Sequence, residues 1–343
     1  MTDVPLFEGL VLGIETSCDE TSAALVEGRR VRSNVVSSQA SLHEKWGGVV
    51  PEAAARSHVE SILPVVEEAL ERAAASLGEI SGLAVTNRPG LIGGLSVGLT
   101  AAKGFAYALG RPFVGVHHLE GHLMSVLAET EGFRADVTFP HLALIVSGGH
   151  TEIVLVHESG RYELIGQTLD DAAGEAFDKS ARLLGLGYPG GRAIEQAALE
   201  GDPKRYPLPR ALPGDPFNFS FSGLKTAVLR LVEREGNQLK VADAAASAQE
   251  AIVGVLTAKF LAAAEETESR CLSLVGGVAA NEALRSRLQD GCYRRGLAFI
   301  CPPPDLCTDN AAMIALAGSR RLASGERDDW NLDALSLANL TDP

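Results

Sequence analysis

The sequence predicts a two-lobed α/β fold built from a duplicated βββαβα unit. Residues 10–39 run as an apolar strand, a small polar turn, a second apolar strand, a charged glycine turn and a third strand. Residues 142–167 repeat that order. Each segment therefore predicts a three-stranded meander whose first hairpin is tight and rich in small polar residues. A length of 343 residues also suits two lobes better than one core.

Each meander is followed by helical sequence and then by an apolar strand that leads into a glycine-rich turn. In the first half the strand is Leu83–Thr86 and the turn is Asn87–Gly94. In the second half Cys271–Val275 precedes Gly276, and a helix begins near Asn281. This plan resembles the actin, Hsp70 and sugar-kinase (ribonuclease H-like) superfamily. Its members bind a nucleotide in a central cleft between two lobes.

The repeat also predicts where the lobes divide. We expect residues 1–135 and 310–343 to form the first lobe, and residues 136–309 to form the second. The helix Ala311–Ala323, capped by Thr308 or Asp309, should return the chain to the first lobe.

Two further features interrupt this regular pattern. Residues 52–76 have helical periodicity, but Pro64 should break or kink that helix. The proline-rich run Tyr206–Phe217 predicts a loop excursion, a candidate surface for a partner.

The composition indicates a globular cytoplasmic protein. Hydrophobic residues make up 46% of the chain, and no apolar run approaches the roughly 18 to 20 residues of a membrane span. The first ten residues lack the pattern of a secretory signal. Five scattered cysteines without a CxxC pair do not predict a disulfide framework.

The net charge of −14 is unfavourable for binding the phosphate backbone of a nucleic acid. Local basic clusters are present at Arg29, Arg30 and Arg32, and at Lys204, Arg205 and Arg210, but solvated surface charge explains them equally well. Binding of a nucleic-acid substrate would therefore require a partner protein that supplies some of the contacts with phosphate.

A candidate metal site is carried by His118 and His122, which follow an apolar strand and open a helix. Residues four apart share one helix face, so the two imidazoles can share one ion. His117 projects about 100° away and Glu120 about 200° away from His118. The Glu120 position differs from the HExxH pattern of zinc peptidases and argues against that activity.

The two hairpin turns are candidate anion and proton-transfer sites. Gly148 and Gly149, between Ser147 and His150, would allow backbone N–H groups to approach an anion closely. The matching turn of the first meander carries Asp19 and Glu20. Two carboxylates beside phosphates are plausible only if a metal ion binds there or if they transfer a proton. A simple hairpin tip remains the alternative for each turn.

Three more positions belong to glycine turns or helix starts. Asp178 lies in an acidic helix and, with the glycine turn that ends at Gly191, is suited to bracket a ribose or aminoacyl group. Asn281 opens a helix whose N-terminus suits a phosphate or adenosine. Asp309 stands before the last helix, where capping is the ordinary role.

Nine strings, in order, identify the resemblance. The chain is similar to the TsaD family of tRNA N6-adenosine threonylcarbamoyltransferases from Gly13 almost to its end. The strings are GIETSCDET, NRPGLIGGLSVG, HHLEGH, VSGGHT, DDAAGEAFDK, GYPGG, FNFSFSGLKTA, GGVAANEALR and TDNAAMIA.

The resemblance implies a site, residue by residue. It implies one divalent metal on His118, His122 and Asp309, with Fe(II) favoured and Zn(II) acceptable. It implies proton-transfer candidates Asp19, Glu20 and His150. The implied substrate-binding residues are Ile145, Val146, Ser147, Gly148, Gly149, Asp178, Gly191, Glu195 and Asn281. Many relatives have Asp where this chain has Glu195.

The resemblance also implies the reaction and the partners. The threonylcarbamoyl group would pass from threonylcarbamoyl-adenylate to the N6 amine of the adenosine 3′ of the anticodon, in tRNAs reading ANN codons. A separate synthase would supply the donor, and an adenine nucleotide (the adenylate or ATP) would be a ligand. A TsaB-like paralogue and a TsaE-like ATPase would be the protein partners. Three alternatives of the same fold stay open: an ATP-dependent small-molecule kinase, an O-carbamoyltransferase and a non-catalytic scaffold.

Overall fold

A computed structural model describes residues 4–46, 48–158 and 161–341. The chain divides into two compact units. The first comprises Met1–Thr138, Ser159–Arg161 and Asp305–Pro343, and the second comprises Phe139–Glu158 and Tyr162–Pro304. The short helix α10 (Pro304–Cys307) spans the residue at which the chain returns to the first unit. Asp309 therefore belongs to the first unit, whereas the sequence analysis assigned it to the end of the second lobe.

The first unit contains a five-stranded sheet in the order β3-β2-β1-β4-β5. Its strands are β1 (Leu10–Glu15), β2 (Glu20–Glu27), β3 (Arg30–Ser38), β4 (Ile80–Arg88) and β5 (Phe113–His117). Its helices are α1 (Ala40–Glu44), α2 (Pro51–Ala73), α3 (Ile92–Leu109), α4 (His118–Met124) and α11 (Ala311–Ala323). The predicted meander is present, with β1 and β2 antiparallel in the register Ile14 opposite Ala23.

The central strand β1 is apolar along its whole length because helices cover both faces of the sheet. All six residues of β1 are buried, and the core on one side includes residues of α2 and α3. Helix α11 packs against β1, β2, β4 and α4. Its approach is so close that a Cβ on Gly13 would lie 2.3 Å from the carbonyl oxygen of Ala311. The last helix therefore completes the core of the first unit, as predicted.

The predicted break at Pro64 is wrong, because α2 continues through this residue to Ala73. Pro64 lies on the exposed face of the helix, where water can replace the hydrogen bond that proline cannot donate. Ile62, Val65 and Val66 are buried on the opposite face and hold the helix against the sheet.

One helix among the described residues, α3, is long and apolar enough to cross a membrane by length and composition alone. The expectation that no run reaches this length is therefore wrong. Leu95, Leu99 and Ala102 of α3 belong to the buried core of the first unit. Burial in that core accounts for the apolar residues on one face of the helix.

The second unit repeats the arrangement around a sheet in the order β10-β9-β6-β7-β8. Its strands are β6 (His141–Val146), β7 (Thr151–Glu158), β8 (Arg161–Gln167), β9 (Cys271–Val275) and β10 (Ala298–Ile300). Its helices are α5 (Ala173–Leu183), α6 (Gly190–Ala198), α7 (Ser222–Glu235), α8 (Val241–Glu266) and α9 (Glu282–Tyr293). As in the first unit, the first strand of the meander pairs in parallel with the strand that follows the helices. The duplicated α/β fold predicted from the sequence is confirmed.

Candidate metal centre and substrate-binding residues

The strand β5 and the helix α4 position the histidine pair of the first unit. The strand ends at His117, whose Nδ1 accepts the backbone N–H of Leu119 at 3.1 Å and so caps α4. His118 and His122 follow one turn apart, with ring centroids 4.8 Å apart and the rings nearly perpendicular. Capping thus occupies His117, and the next two histidines share one face.

Asp309 faces both histidines. Its Oδ1 lies 3.2 Å from Nε2 of His122 and 3.5 Å from Nε2 of His118. One ligand atom from each of the three residues lies within 4.8 Å of the others. The two imidazoles are almost completely buried, and the side chain of Asp309 is 20% exposed. The first unit therefore contains a two-histidine, one-carboxylate cluster with one side open to solvent.

The helix cap expected at Thr308 or Asp309 is instead Asn310. Its side chain accepts the backbone N–H of Met313 at 3.1 Å and so caps α11. Asparagine is among the preferred residues at this position because its side-chain oxygen satisfies a helix N–H. The carboxylate of Asp309 is thereby left to face the histidines.

Burial and charge in this cluster fit a cation. Burial lowers the pKa of His118, but the carboxylates of Asp309 and Glu15 outweigh it and raise the pKa to about 9. Burial lowers the pKa of His122. Within the described part of the chain, neither ring nitrogen of His122 has a hydrogen bond of acceptable geometry. Nε2 of this buried imidazole lies 3.2 Å from the Asp309 carboxylate and is therefore placed to ligate a cation.

Glu15, the last residue of β1, holds His118 from the other side. Its Oε2 lies 3.2 Å from Nδ1 of His118 and accepts the hydroxyl of Thr86 at 2.5 Å. Its Oε1 accepts the backbone N–H of Ser17 at 2.6 Å. Burial raises the pKa of Glu15, and the neighbouring His118 outweighs it, so that the pKa lies below its ordinary value. The residue is a fully buried, ionised carboxylate.

Glu120 lies in an ion pair away from the cluster, as its helical position predicted. Its carboxylate is bonded to Arg321 of α11 at 2.7 and 2.9 Å, and Arg320 lies 3.5 Å away. Only 1% of the Glu120 side chain is exposed. This carboxylate joins α4 to α11, and it is not placed to act as a base over the histidines.

Asp19 and Glu20 lie in the hairpin between β1 and β2, near the cluster. Burial, the charge of Asp309 and the charge of Asp19 raise the pKa of Glu20 to about 9. The hydroxyl of Ser38 donates to Glu20 at 3.2 Å. The carboxyl group of Glu20 therefore lies close enough to Asp309 to sense its charge.

In the second unit, a short turn joins β6 to β7, and one of its N–H groups already has a partner. The N–H of Ser147 donates to the carbonyl of His150 at 2.8 Å, so it closes the hairpin and is not available to a ligand. Gly148 and Gly149 are exposed, and a Cβ on either would meet nothing within 4 Å. The side chains of Ile145 and Val146 are buried in β6, so only their backbone can contribute to a site.

A series of contacts links the turn after β6 to the other candidate residues of this unit. The N–H of Gly174 donates to the carbonyl of Ser147 at 3.2 Å, and one turn further along α5 is Asp178. The Oδ1 of Asp178 accepts the N–H of Gly190 at 2.7 Å, next to Gly191. The start of α5 and the start of α6 are therefore fixed beside the end of β6.

Glu195 and Asn281 meet at the start of α9. Asn281 caps this helix by accepting the N–H of Leu284 at 3.0 Å, and its amide donates to Gln249 at 2.9 Å. Glu195 accepts the N–H of Glu282 at 2.6 Å. Both side chains satisfy helix N–H groups that would otherwise lack partners. The side chain of Glu195 thus reaches from α6 to the terminus of α9.

Glu15 was not among the sequence-predicted site residues. A carboxylate at the carboxyl end of a fully apolar, buried strand is a signal that could have revealed it, because ligands of α/β folds bind at that edge. Asp19 and Glu20 were predicted as site residues instead, because they are adjacent acidic residues in a turn.

Sequence comparison identifies relatives over nearly the whole chain. A family model described as TsaD, tRNA N6-adenosine threonylcarbamoyltransferase, matches residues 30–316. A protein of that name from Symbiobacterium thermophilum is 53% identical over 333 residues, 96% of each chain. Another from Desulfitobacterium hafniense is 52% identical over 336 residues, covering 96% of this chain and 97% of the relative.

Solved structures share the fold at low identity. HypF of T. kodakarensis has a TM-score of 0.63 at 14% identity, over 94% of this chain and 50% of HypF. The activator of 2-hydroxyisocaproyl-CoA dehydratase from Clostridium difficile, solved with bound ADPNP, has a TM-score of 0.53 at 12% identity, over 92% and 96% of the two chains. Given relatives that are half identical over almost their full length, the chain belongs to the TsaD family of tRNA N6-adenosine threonylcarbamoyltransferases.

Proposed function

We propose that this protein transfers the threonylcarbamoyl group from threonylcarbamoyl-adenylate to the N6 amine of the adenosine 3′ of the anticodon, in tRNAs that read ANN codons. The observation that carries the proposal is the convergence of His118, His122 and Asp309 in a member of the TsaD family. An exocyclic amine is a poor nucleophile. Activation of the acyl donor is therefore the main chemical demand.

The three residues of the cluster would hold one divalent metal. Two imidazoles and one carboxylate with open positions suit Fe(II), which we favour, and Zn(II) also accepts them. A metal bound there would supply Lewis-acid polarisation of the donor. The protein's own contribution is to bury the two imidazoles while leaving Asp309 partly exposed.

The second unit would bind the adenylate donor. The N–H groups of the exposed Gly148 and Gly149 are suited to stabilise negative charge that develops during acyl transfer. The starts of α5, α6 and α9, with Asp178, Gly191 and the Glu195–Asn281 pair, would contact the rest of the nucleotide, as would the backbone of Ile145 and Val146. A backbone lined by glycine can approach a ligand closely.

Asp19, Glu20 and His150 are the proposed proton acceptors for the attacking amine. In single-turnover experiments with preformed donor, we expect replacement of the acting residue by Ala to slow the chemical step by roughly 10²- to 10⁴-fold. Unchanged rates for all three single variants would remove these residues from the mechanism.

In the cytoplasm, protein partners would supply some of the contacts with the phosphates of tRNA. Two of the arginines in the local basic clusters are engaged within their own units. Arg29 donates to the carbonyls of Leu127 and Ala135, and Arg210 pairs with Glu250. A TsaB-like paralogue and a TsaE-like ATPase are the proposed partners, and a separate synthase would supply the donor.

The test is a reconstitution with unmodified tRNA, threonine, bicarbonate, ATP, the synthase and the two partners, read by nucleoside mass spectrometry. We expect threonylcarbamoyladenosine with the unaltered chain and none with the Asp309→Asn variant, whose side chain is nearly the same size. Absence of the modified nucleoside, with each partner shown to be active, would refute the proposal. A phosphorylated or O-carbamoylated small molecule formed without tRNA would instead support one of the same-fold alternatives.

A further inference from the structure

His118 and His122 differ in how the protein holds them. Nδ1 of His118 lies 3.2 Å from the carboxylate of Glu15 and 3.2 Å from the hydroxyl of Ser17. Among the described residues, Nδ1 of His122 has no hydrogen-bond partner. One ligand of the proposed metal is therefore oriented by a buried carboxylate, and the other is not.

We propose that Glu15 is a positioning residue for the metal. Its carboxylate accepts a hydrogen bond from Nδ1–H of His118, so that the Nε2 lone pair faces Asp309 and the cation. This inference rests on the metal site of the proposed function and assigns it a residue from the strand β1. An ionised carboxylate only accepts hydrogen bonds, so the imidazole nitrogen that faces it must carry the proton. The opposite nitrogen then carries the lone pair needed by a metal.

The surroundings of Glu15 fix its carboxylate in place. Three donors converge on its two oxygens: the N–H of Ser17 on Oε1, and the hydroxyl of Thr86 and Nδ1 of His118 on Oε2. A glutamine cannot replace it, because one of its two terminal groups is an NH₂ that would face a donor. The site is therefore specific for a carboxylate, although glutamine has the same shape.

The first measurement is metal affinity, with Zn²⁺ in competition with a chromophoric chelator and Co²⁺ followed by its visible absorption. We expect Glu15→Gln and Glu15→Ala to bind each metal roughly 10- to 100-fold more weakly than the unaltered chain. The matched control is Glu27→Gln, in the neighbouring strand of the same sheet, where the carboxylate pairs with Arg32 at the surface. That variant should keep the original affinity.

The second measurement separates positioning from general loss of structure. At a pH above the His118 pKa of about 9, where the imidazole is neutral, the ¹⁵N shifts of this ring in the metal-free protein should show a proton on Nδ1 in the unaltered chain and in Glu27→Gln. In Glu15→Gln the Nε2-protonated tautomer should become populated, while the amide spectrum of the rest of the chain stays folded.

The outcomes are distinguishable. If the unaltered chain binds neither metal, the metal site of the proposed function fails. If it binds both, and Glu15→Gln binds them equally well with the His118 tautomer unchanged, only the role of Glu15 fails. Weaker binding together with the altered tautomer supports both.

Discussion

The side chain of Asn310 accepts the N–H of Met313 at 3.1 Å and donates to the carbonyl of Thr308 at 2.8 Å. It caps α11 and also fixes the turn on the other side of Asp309. The backbone on both sides of Asp309 is therefore fixed by hydrogen bonds of its neighbour Asn310.

Replacing Asn310 by Ala should lower the free energy of unfolding by about 1 kcal/mol, the usual cost of a lost N-cap. Replacement by Ser should restore most of that stability, because Ser also caps, but it cannot donate to Thr308 in the same way. Urea denaturation measures the stability and chelator competition measures Zn²⁺ affinity. If affinity in Asn310→Ala and Asn310→Ser equals that of the unaltered chain, Asn310 does not position Asp309.

Replacing His122 by Ala removes one of the three proposed ligands. We expect the purified variant to lose stoichiometric metal, a greater loss of affinity than the roughly 10- to 100-fold of an outer-shell change. Elemental analysis after reconstitution measures it. The matched control is His117→Asn, because Asn also caps a helix and His117 does not face Asp309. Equal metal loss in both variants would indicate a change in fold rather than a lost ligand.

Replacing Glu120 by Gln should destabilise the first unit by roughly 1–3 kcal/mol, because Arg321 loses its buried carboxylate partner and keeps only Glu326. The double variant with Arg321→Met should be more stable than Glu120→Gln alone, since it also removes the charge that Glu120 had paired. Denaturant unfolding of the four proteins of this double-mutant cycle gives the coupling energy. A coupling near zero would contradict the role of this pair in joining α4 to α11.

His141 should make the protein less stable in mild acid. Burial lowers its pKa to about 4, and among the described residues neither ring nitrogen has a hydrogen-bond partner. Between pH 6.5 and 4, His141 is protonated in the unfolded chain but not in the folded chain. Stability from this residue is therefore complete above pH 6.5 and falls by roughly 3 kcal/mol on acidification to pH 4.

The His141→Leu variant should show a shallower loss of unfolding free energy over that pH range. Denaturant titrations at several pH values measure the slope. His157→Leu, which alters a partly exposed histidine of the same unit, is the control. A slope in His141→Leu that matches the unaltered chain would contradict the assignment.

Replacing Gly174 by Ala should disturb the turn after β6, because the new Cβ would lie 2.5 Å from the carbonyl oxygen of Ser147 and 2.8 Å from Cα of Gly148. We expect a loss of about 1–3 kcal/mol of stability from overpacking, and a raised KM for the adenylate donor. Gly214→Ala is the control, since a Cβ there meets nothing within 4 Å. An unchanged KM in Gly174→Ala would argue against donor binding by Gly148 and Gly149.

The sequence predicted the fold well because the repeated order of strands and turns is a local signal. The two meanders, the helix after His117 and the closing helix follow from alternating polarity, glycine turns and helical spacing. The break at Pro64 was predicted wrongly because burial of one helix face outweighs a single lost hydrogen bond on the other. One face of α3 lies in the core, and its contacts there depend on residues distant in the chain.

The site residues could be predicted where functional side chains lie close together in a short sequence motif. His118 and His122 share a helix face by spacing alone, but Asp309 was linked to them through family resemblance. The choice between Asp309 and Asn310 as cap depends on backbone direction, and the role of Glu15 depends on which atoms surround it after folding. Such contacts between residues distant in the chain are not visible in periodicity.

Helix α11 also has a consequence for synthesis of the protein. Residues 311–319 are buried in the first unit, against the strand that begins near residue 10. The ribosome must therefore make the whole second unit before this early strand can be covered. Until then the nascent first unit exposes an apolar sheet face, and chaperone protection should be needed for that interval.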